Sequence, residues 1–288
     1  MIKFAYVLLF GSFLVLMSCE KSEKETPGGF KYTVLKSGSG DEPKKGEIMV
    51  FDFQLRDSKD SVWNESYKDE MPAAIEKQDT STTNKQDVIT QMLSQLKVGD
   101  SVKASISVVD FFKTLVRRPV PPQIDSTRTL TYFISVKEVM TMPNFMKWRT
   151  EKVNARDEKM INTYLTENNL KAEKDSSGLY IVNYTKGSGP KPTPNHCVQV
   201  KYSGRLLANG REFDKNENIS FNLNQVIMGW QIGFPYLSKG DSATLLIPSR
   251  LGYGAEGFYG IPPDAPLVFN VTLHDFKTGF DPQTNQCK

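Results

Sequence analysis

The chain carries little with which to make or break a covalent bond. Its two histidines, His196 and His274, stand 78 positions apart, and its three cysteines are Cys19, Cys197 and Cys287. No Cys-x-x-Cys pair occurs, so neither a thioredoxin-like redox motif nor a zinc site has its spacing. Two Gly-Ser-Gly turns, Gly38-Ser39-Gly40 and Gly187-Ser188-Gly189, lack the Gly-Lys-Ser/Thr continuation of a phosphate loop. No Ser, His and Asp set stands at motif spacing. Hydrolytic, redox and phosphoryl-transfer chemistry therefore find no residues here, and no cofactor or metal is implied.

Three segments of the last third point elsewhere: VQVKYSGRLLANGREFD, then FNLNQVIMGW, then LSKGDSATLLIPSRLGYGAEGFYGIPPDAPLVFNVTL. In this order and spacing they resemble the FKBP-type peptidyl-prolyl cis/trans isomerase family across roughly 100 residues. The resemblance implies an isomerase whose catalytic residues are Tyr202, Phe213, Asp214, Trp230 and Tyr253. It makes Val226, Ile227, Ile261 and Phe269 the remaining contacts to a proline-containing substrate. In that arrangement Trp230 is the floor under the pyrrolidine ring, with Tyr202, Phe213 and Phe269 as walls. The Ile227 N–H and the Tyr253 hydroxyl would hold substrate carbonyls, and Asp214 would orient Tyr202 or polarise the twisted carbonyl carbon. Aromatic residues on strands are more often core than pocket. The ordered set is what favours the pocket. Ile219 stands where many family members have a second aromatic, and Phe258 and Tyr259 are expected to set substrate preference.

Such a site matches the chemistry. Rotation about an X-Pro bond must break amide resonance against a barrier of roughly 18–20 kcal/mol, without any bond being made or cleaved. A pocket that fits the twisted amide better than the planar one is sufficient.

The elements that would position these residues occur twice. Gly29-Phe30 recurs as Gly178-Leu179, and the Gly-Ser-Gly turn recurs at the same offset of 149. Leu96 to Asp100 recurs as Leu237 to Asp241, and Pro121-Pro122 as Pro262-Pro263, at offset 141; Leu130 matches Leu267 at offset 137. Alternation at Ile48, Val50 and Asp52 against Met49, Phe51 and Phe53, and at Val198, Val200 and Tyr202, predicts strands. Short helices are expected over Val88 to Leu96 and Val226 to Leu237. The fold class is α+β, with two FKBP-like domains of antiparallel sheet and a short helix, the first degenerate. Between the copies Pro143 and Asn144 start a helix, Met160, Ile161, Tyr164 and Leu165 give it an apolar stripe, and Asn168 and Asn169 end it.

At the start, Lys3 precedes an apolar run from Phe4 to Met17, too short for the roughly 20 residues of a membrane-spanning helix and suited to a secretory signal. Leu16, Met17, Ser18 and Cys19 resemble a bacterial lipobox, which makes Cys19 the lipid anchor to a membrane of the cell envelope. The expected order is a signal (1–18), a flexible tether (19–28), a degenerate FKBP-like domain (29–140), a helical linker (141–176), the isomerase domain (177–278) and a tail (279–288). In an oxidising compartment Cys197 and Cys287 can form one disulfide. A net charge of +3 with interleaved signs argues against a nucleic-acid partner.

By the repeat offsets, Tyr202 corresponds to Phe53, Trp230 to Ile89, Tyr253 to Phe112, and Val226 and Ile227 to Lys85 and Gln86. Phe213 and Asp214 fall on Asn64 and Glu65, or on Trp63 and Asn64 with one gap. The first copy is therefore expected to be inert and to pack, form a homo-dimer or hold unfolded clients. The function expected of the chain is prolyl isomerisation of folding exported polypeptides. The alternative is a non-catalytic chaperone or scaffold lipoprotein that grips extended segments.

Overall fold

The computed structural model describes residues 22–66, 71–78, 88–183, 185, 188–281, 283–284 and 286–288. Cys19 with the expected signal, Lys85, Gln86 and Gly187 lie outside these residues. The chain forms two compact units that divide between Phe145 and Met146.

In the first unit β1 (Ser22–Glu25), β2 (Lys31–Lys36), β3 (Glu47–Asp57), β4 (Val62–Glu65), β5 (Ala73–Glu76), β6 (Ser101–Ser107) and β7 (Thr129–Thr141) form one antiparallel sheet. The order is β1-β2-β6-β7-β3-β4, with β5 also paired to β3. Helix α1 (Val88–Leu93) inserts Met92 and Leu93 into a core with Tyr32, Val34, Met49, Phe51, Val102 and Ile134. A helical turn α2 (Val108–Asp110) continues into a π-helical segment, Phe111–Val116, which ends on Arg117 in the left-handed region at φ 57°.

In the second unit β8 (Glu173–Lys174), β9 (Tyr180–Asn183), β10 (Cys197–Leu206), β11 (Glu212–Asn222), β12 (Ser242–Ile247) and β13 (Leu267–Lys277) pair in the order β11-β10-β13-β12-β9-β8. Here the predicted alternation holds, with Val198, Val200 and Tyr202 buried and Lys201 exposed. In β3 it does not. Ile48, Met49, Val50 and Phe51 are all buried, and a bulge between Val50 and Phe51 shifts the pairing with β7.

The two sheets share their connectivity, and several details recur. Gly29 and Gly178 take φ of 83° and 89°, Gly99 and Gly240 of 90° and 89°, a conformation open to glycine because it lacks a Cβ. Asp100 accepts the Lys97 N–H at 3.0 Å and Asp241 accepts the Ser238 N–H at 2.8 Å. The bulge in β3 has its counterpart in β10, between Gln199 and Val200.

Three segments differ from the sequence expectation. Ser22–Glu25, read as part of a flexible tether, is an edge strand paired in register to β2. All four of its side chains are exposed, so backbone pairing makes the strand and no hydrophobic alternation announces it. Helix α3 (Met142–Glu167) is more than a linker, because from Met146 onward it belongs to the second unit. There Ile161 is fully buried with Tyr180, Leu246 and Val268. The tail folds back: β14 (Phe280–Asp281) pairs with β15 (Gln286–Cys287), and Cys287 is disulfide-bonded to Cys197 of β10 with Cα atoms 5.4 Å apart.

One buried acid, Asp57, is expected to make the stability of the first unit depend on pH. Asp57 accepts N–H groups from Lys59 and Ser61 at 2.9 Å, from Trp63 Nε1 at 3.1 Å and from the Arg128 guanidinium at 2.6 Å. Burial pushes its pKa up, but the hydrogen bonds from Ser61, Trp63, Lys59 and Arg128 outweigh this and hold the carboxyl well below the usual carboxylate range. A lowered folded-state pKa contributes stability that is present above the unfolded value of about 4 and is lost as pH falls below it. Asp57→Asn is therefore expected to flatten the acid limb of the first unit's thermal unfolding. If melting temperatures of parent and variant fell in parallel from about pH 6 to pH 3, Asp57 would not be the controlling group.

Candidate functional site

On one face of the second sheet, aromatic side chains from four elements converge. Strand β10 brings Tyr202, β11 brings Phe213 and Phe221, α4 (Met228–Gly233) brings Trp230, and β13 brings Phe269. Trp230 is the hub. Its ring meets Tyr202 and Phe269 edge-on at 5.2 Å and Phe221 at 5.5 Å, and packs on Phe234 at 5.1 Å. Edge-to-face contact places the positive rim of one ring on the negative face of the next, which favours this geometry over parallel overlap. Phe213 in turn meets Phe269 edge-on at 5.6 Å.

Backbone constraints bring these rings together. A Cβ built on Gly204 of β10 would stand 2.5 Å from Phe269 and 2.9 Å from Phe213, so only glycine lets both rings close over the strand. Gly229 of α4 likewise sits against Ile247, where a Cβ would lie 2.6 Å away, and this seats the helix close to β12. Val226 and Ile227 lie between a 3₁₀ turn (Leu223–Gln225) and α4, and Ile227 is the N-cap residue. Its N–H has no acceptor among the described residues.

The polar part is small. The Tyr202 hydroxyl donates to Asp214 Oδ2 at 2.6 Å. Burial, followed by this hydrogen bond and the charge of Asp214, holds the Tyr202 hydroxyl far above its ordinary pKa. Tyr253 follows a 3₁₀ turn (Ser249–Leu251), and burial, with a smaller contribution from Asp214, raises its hydroxyl too. Both phenols thus remain hydrogen-bond donors through neutral pH.

All nine residues implied by the sequence resemblance gather here. Tyr202, Trp230, Ile261 and Phe269 are buried in one cluster, Phe213, Val226, Ile227 and Tyr253 pack against it, and Asp214 joins through Tyr202. Ile219 is partly buried on the same cluster. Phe221, two residues along β11, is the aromatic that packs on both Tyr202, at 6.0 Å, and Trp230. Phe221 and Gly204 join the residues that the resemblance implies, and period-2 spacing from Ile219 puts Phe221 on the same face. Phe258 stacks on Tyr253 at 5.1 Å and 9°, and Tyr259 beside it is 93% exposed.

In the first unit Leu55 pairs with Asn64, as Gly204 pairs with Asp214 in the second, a register that matches the gapped alternative, Trp63 and Asn64. Phe111 lines a cleft of this unit and meets Trp63 edge-on at 6.5 Å, whereas Phe112, the residue expected to match Tyr253, is buried.

Residues 189–274 match the family model of FKBP-type peptidyl-prolyl cis-trans isomerases. FkpA of Escherichia coli, an FKBP-type peptidyl-prolyl cis-trans isomerase, is 42% identical over 106 residues, which are 35% of this chain and 39% of that protein. FkpA of Aeromonas hydrophila is 35% identical over 133 residues, 44% of this chain and 49% of that protein. A peptidyl-prolyl cis-trans isomerase of known structure from Pseudomonas syringae pv. tomato is 33% identical, with 44% of this chain and 95% of that one covered and a TM-score of 0.40. The chain spans less than half the length of these two curated relatives. Residues 189–274 belong to the FKBP-type peptidyl-prolyl cis-trans isomerase family.

Proposed function

We propose that the second unit catalyses cis/trans isomerisation of X-Pro bonds in exported polypeptides as they fold at a bacterial cell envelope. The observation that carries this reading is the Tyr202–Asp214 hydrogen bond set against the aromatic box around Trp230. A proline ring entering the box is desolvated, and an amide that loses resonance also loses dipole, so the apolar walls favour the twisted state. The Ile227 N–H and the Tyr253 hydroxyl are donors for the carbonyls flanking proline. Asp214 holds Tyr202 and places one negative charge beside the electron-poor carbonyl carbon.

Export is supported by the apolar run from Phe4 to Met17 and by the Cys197–Cys287 disulfide, a bond that persists in oxidising compartments. Cys19 in its lipobox-like setting is the proposed lipid anchor. Among the described residues no helix is long and apolar enough to cross a membrane. The shared strand order and paired glycines support reading the first unit as a second copy of the fold that has lost its isomerase residues, with Phe53 for Tyr202, Asn64 for Asp214 and Ile89 for Trp230.

Tyr253→Phe removes one hydroxyl and no packing volume, and should lower kcat/KM on an X-Pro peptide by about tenfold or more while unfolding stays unchanged. Asp100→Ala loosens a turn in the first unit, where its carboxylate accepts the Gly38 and Lys97 N–H groups, and should leave kcat/KM as it is. A folded Tyr253→Phe protein with parental kcat/KM would sink the assignment of that hydroxyl.

A further inference from the structure

The first unit keeps a cavity where the second has its aromatic box. About 380 Å³ in volume, it is lined by Phe51, Phe53 and Leu55 of β3, Trp63 and Asn64 of β4, Ile89 of α1, Phe111 of the π-helical segment, and Tyr132 and Ile134 of β7. That volume lies within the range of small-ligand pockets, roughly 300–1,000 Å³. The lining contains no carboxylate, ammonium, guanidinium or imidazole group; its polar side-chain groups are the Asn64 amide, the Tyr132 hydroxyl and the Trp63 indole N–H, which donates to Asp57.

We infer that this cavity is a second, non-catalytic polypeptide-binding site that takes an uncharged bulky side chain (leucine, phenylalanine or proline) from an extended, unfolded segment. Three observations lead to that occupant. The wall is aromatic and aliphatic, so what it gains from is apolar surface removed from water. A charged side chain would be desolvated there without a partner, which excludes Lys, Arg, Asp and Glu as occupants. The polar pair that would act on a twisted amide is absent, because Phe53 stands for Tyr202 and Asn64 for Asp214, so the site holds a segment without isomerising it. At the rim, Asn64 is exposed and its Oδ1 accepts the Glu65 N–H at 2.9 Å, which leaves its NH₂ to meet a peptide carbonyl. The inference does not depend on whether the second unit catalyses.

The test uses the full chain with ¹³C-labelled isoleucine δ1 methyls and the acetylated, amidated peptide Ala-Leu-Phe-Leu-Ala, which has neither charge nor proline. Ile89 and Ile134 report the first cavity, and Ile227 and Ile261 report the second unit separately. Saturable shifts at Ile89 and Ile134 are expected. Ile89→Trp fills the cavity and should weaken this binding about tenfold or more without changing activity on an X-Pro peptide. Should that variant misfold, Asn64→Glu places a carboxylate at an exposed rim position, and the cost of desolvating it under the apolar peptide should weaken binding several-fold. Unmoved Ile89 and Ile134 methyls at millimolar peptide, or parental affinity in a folded variant, would overturn the inference. So would movement of the same methyls with protein concentration alone, which would identify the occupant as a second copy of the chain.

Discussion

Trp230→Ala is expected to abolish measurable isomerisation and to destabilise the second unit by about 3–5 kcal/mol. Both losses come from one feature, because the pocket floor is also the centre of the core. Trp230 is 4% exposed and packs on Tyr202, Phe221, Phe234 and Phe269, so removing it opens a cavity that these rings cannot fill without leaving their edge-on contacts. The alanine variant alone therefore cannot separate fold from function, and Trp230→Phe should accompany it. Trp230 Nε1 is buried with no acceptor among the described residues, so phenylalanine keeps an aromatic floor and abandons no hydrogen bond. The phenylalanine variant is expected to remain folded with reduced kcat/KM. Denaturant unfolding with the same slope as the parent, together with a peptide isomerisation assay, measures both quantities. Parental stability in the alanine variant would mean that the ring cluster is not the core described here.

Asp157→Ala, although Asp157 touches no pocket residue, is expected to cost about 3–5 kcal/mol and to lower activity as well. Asp157 of α3 is fully buried, and its Oδ2 accepts the Ser249 N–H at 2.8 Å and the Ser249 hydroxyl at 2.5 Å. Its Oδ1 is paired with Arg156 at 2.9 Å, and Arg156 also donates to the Asp264 carbonyl, while Arg149 pairs with the Asp264 carboxylate. Helix α3 thus fastens both ends of the segment from Ser249 to Asp264, which carries Tyr253 and Ile261. Alanine would leave the Ser249 donors and the Arg156 guanidinium without their carboxylate. Asp157→Asn retains an acceptor for Ser249 and should restore much of the activity. Equal losses in the alanine and asparagine variants would show that the negative charge, and not the tethering of Ser249, is what matters.

The aromatic site was legible because its residues sit in ordered motifs whose spacing the strands preserve. Tyr202 and Asp214 lie on adjacent strands joined by the short turn at Gly210, so their hydrogen bond follows from local pairing. What escaped the sequence depends on groups that periodicity does not weigh. Strand β1 has four exposed side chains and exists through backbone pairing. In α3 the expected stripe contributes Ile161 as its one fully buried member, and the strongest anchor is the carboxylate of Asp157, one turn earlier. A hydrophobic pattern cannot announce a buried acid. The segment that carries Phe111 and Phe112 is π-helical, and it is Phe111 that lines the cleft, which no local composition reveals.

The central claim, that catalysis resides in the second unit, is tested most directly by isomerisation of a short X-Pro peptide. Residues 22–288 would be assayed beside residues 22–145 alone, a fragment that ends where the first compact unit ends. Acceleration by the long chain and none by the fragment is the predicted result. Acceleration by the fragment, or none by either, would contradict it.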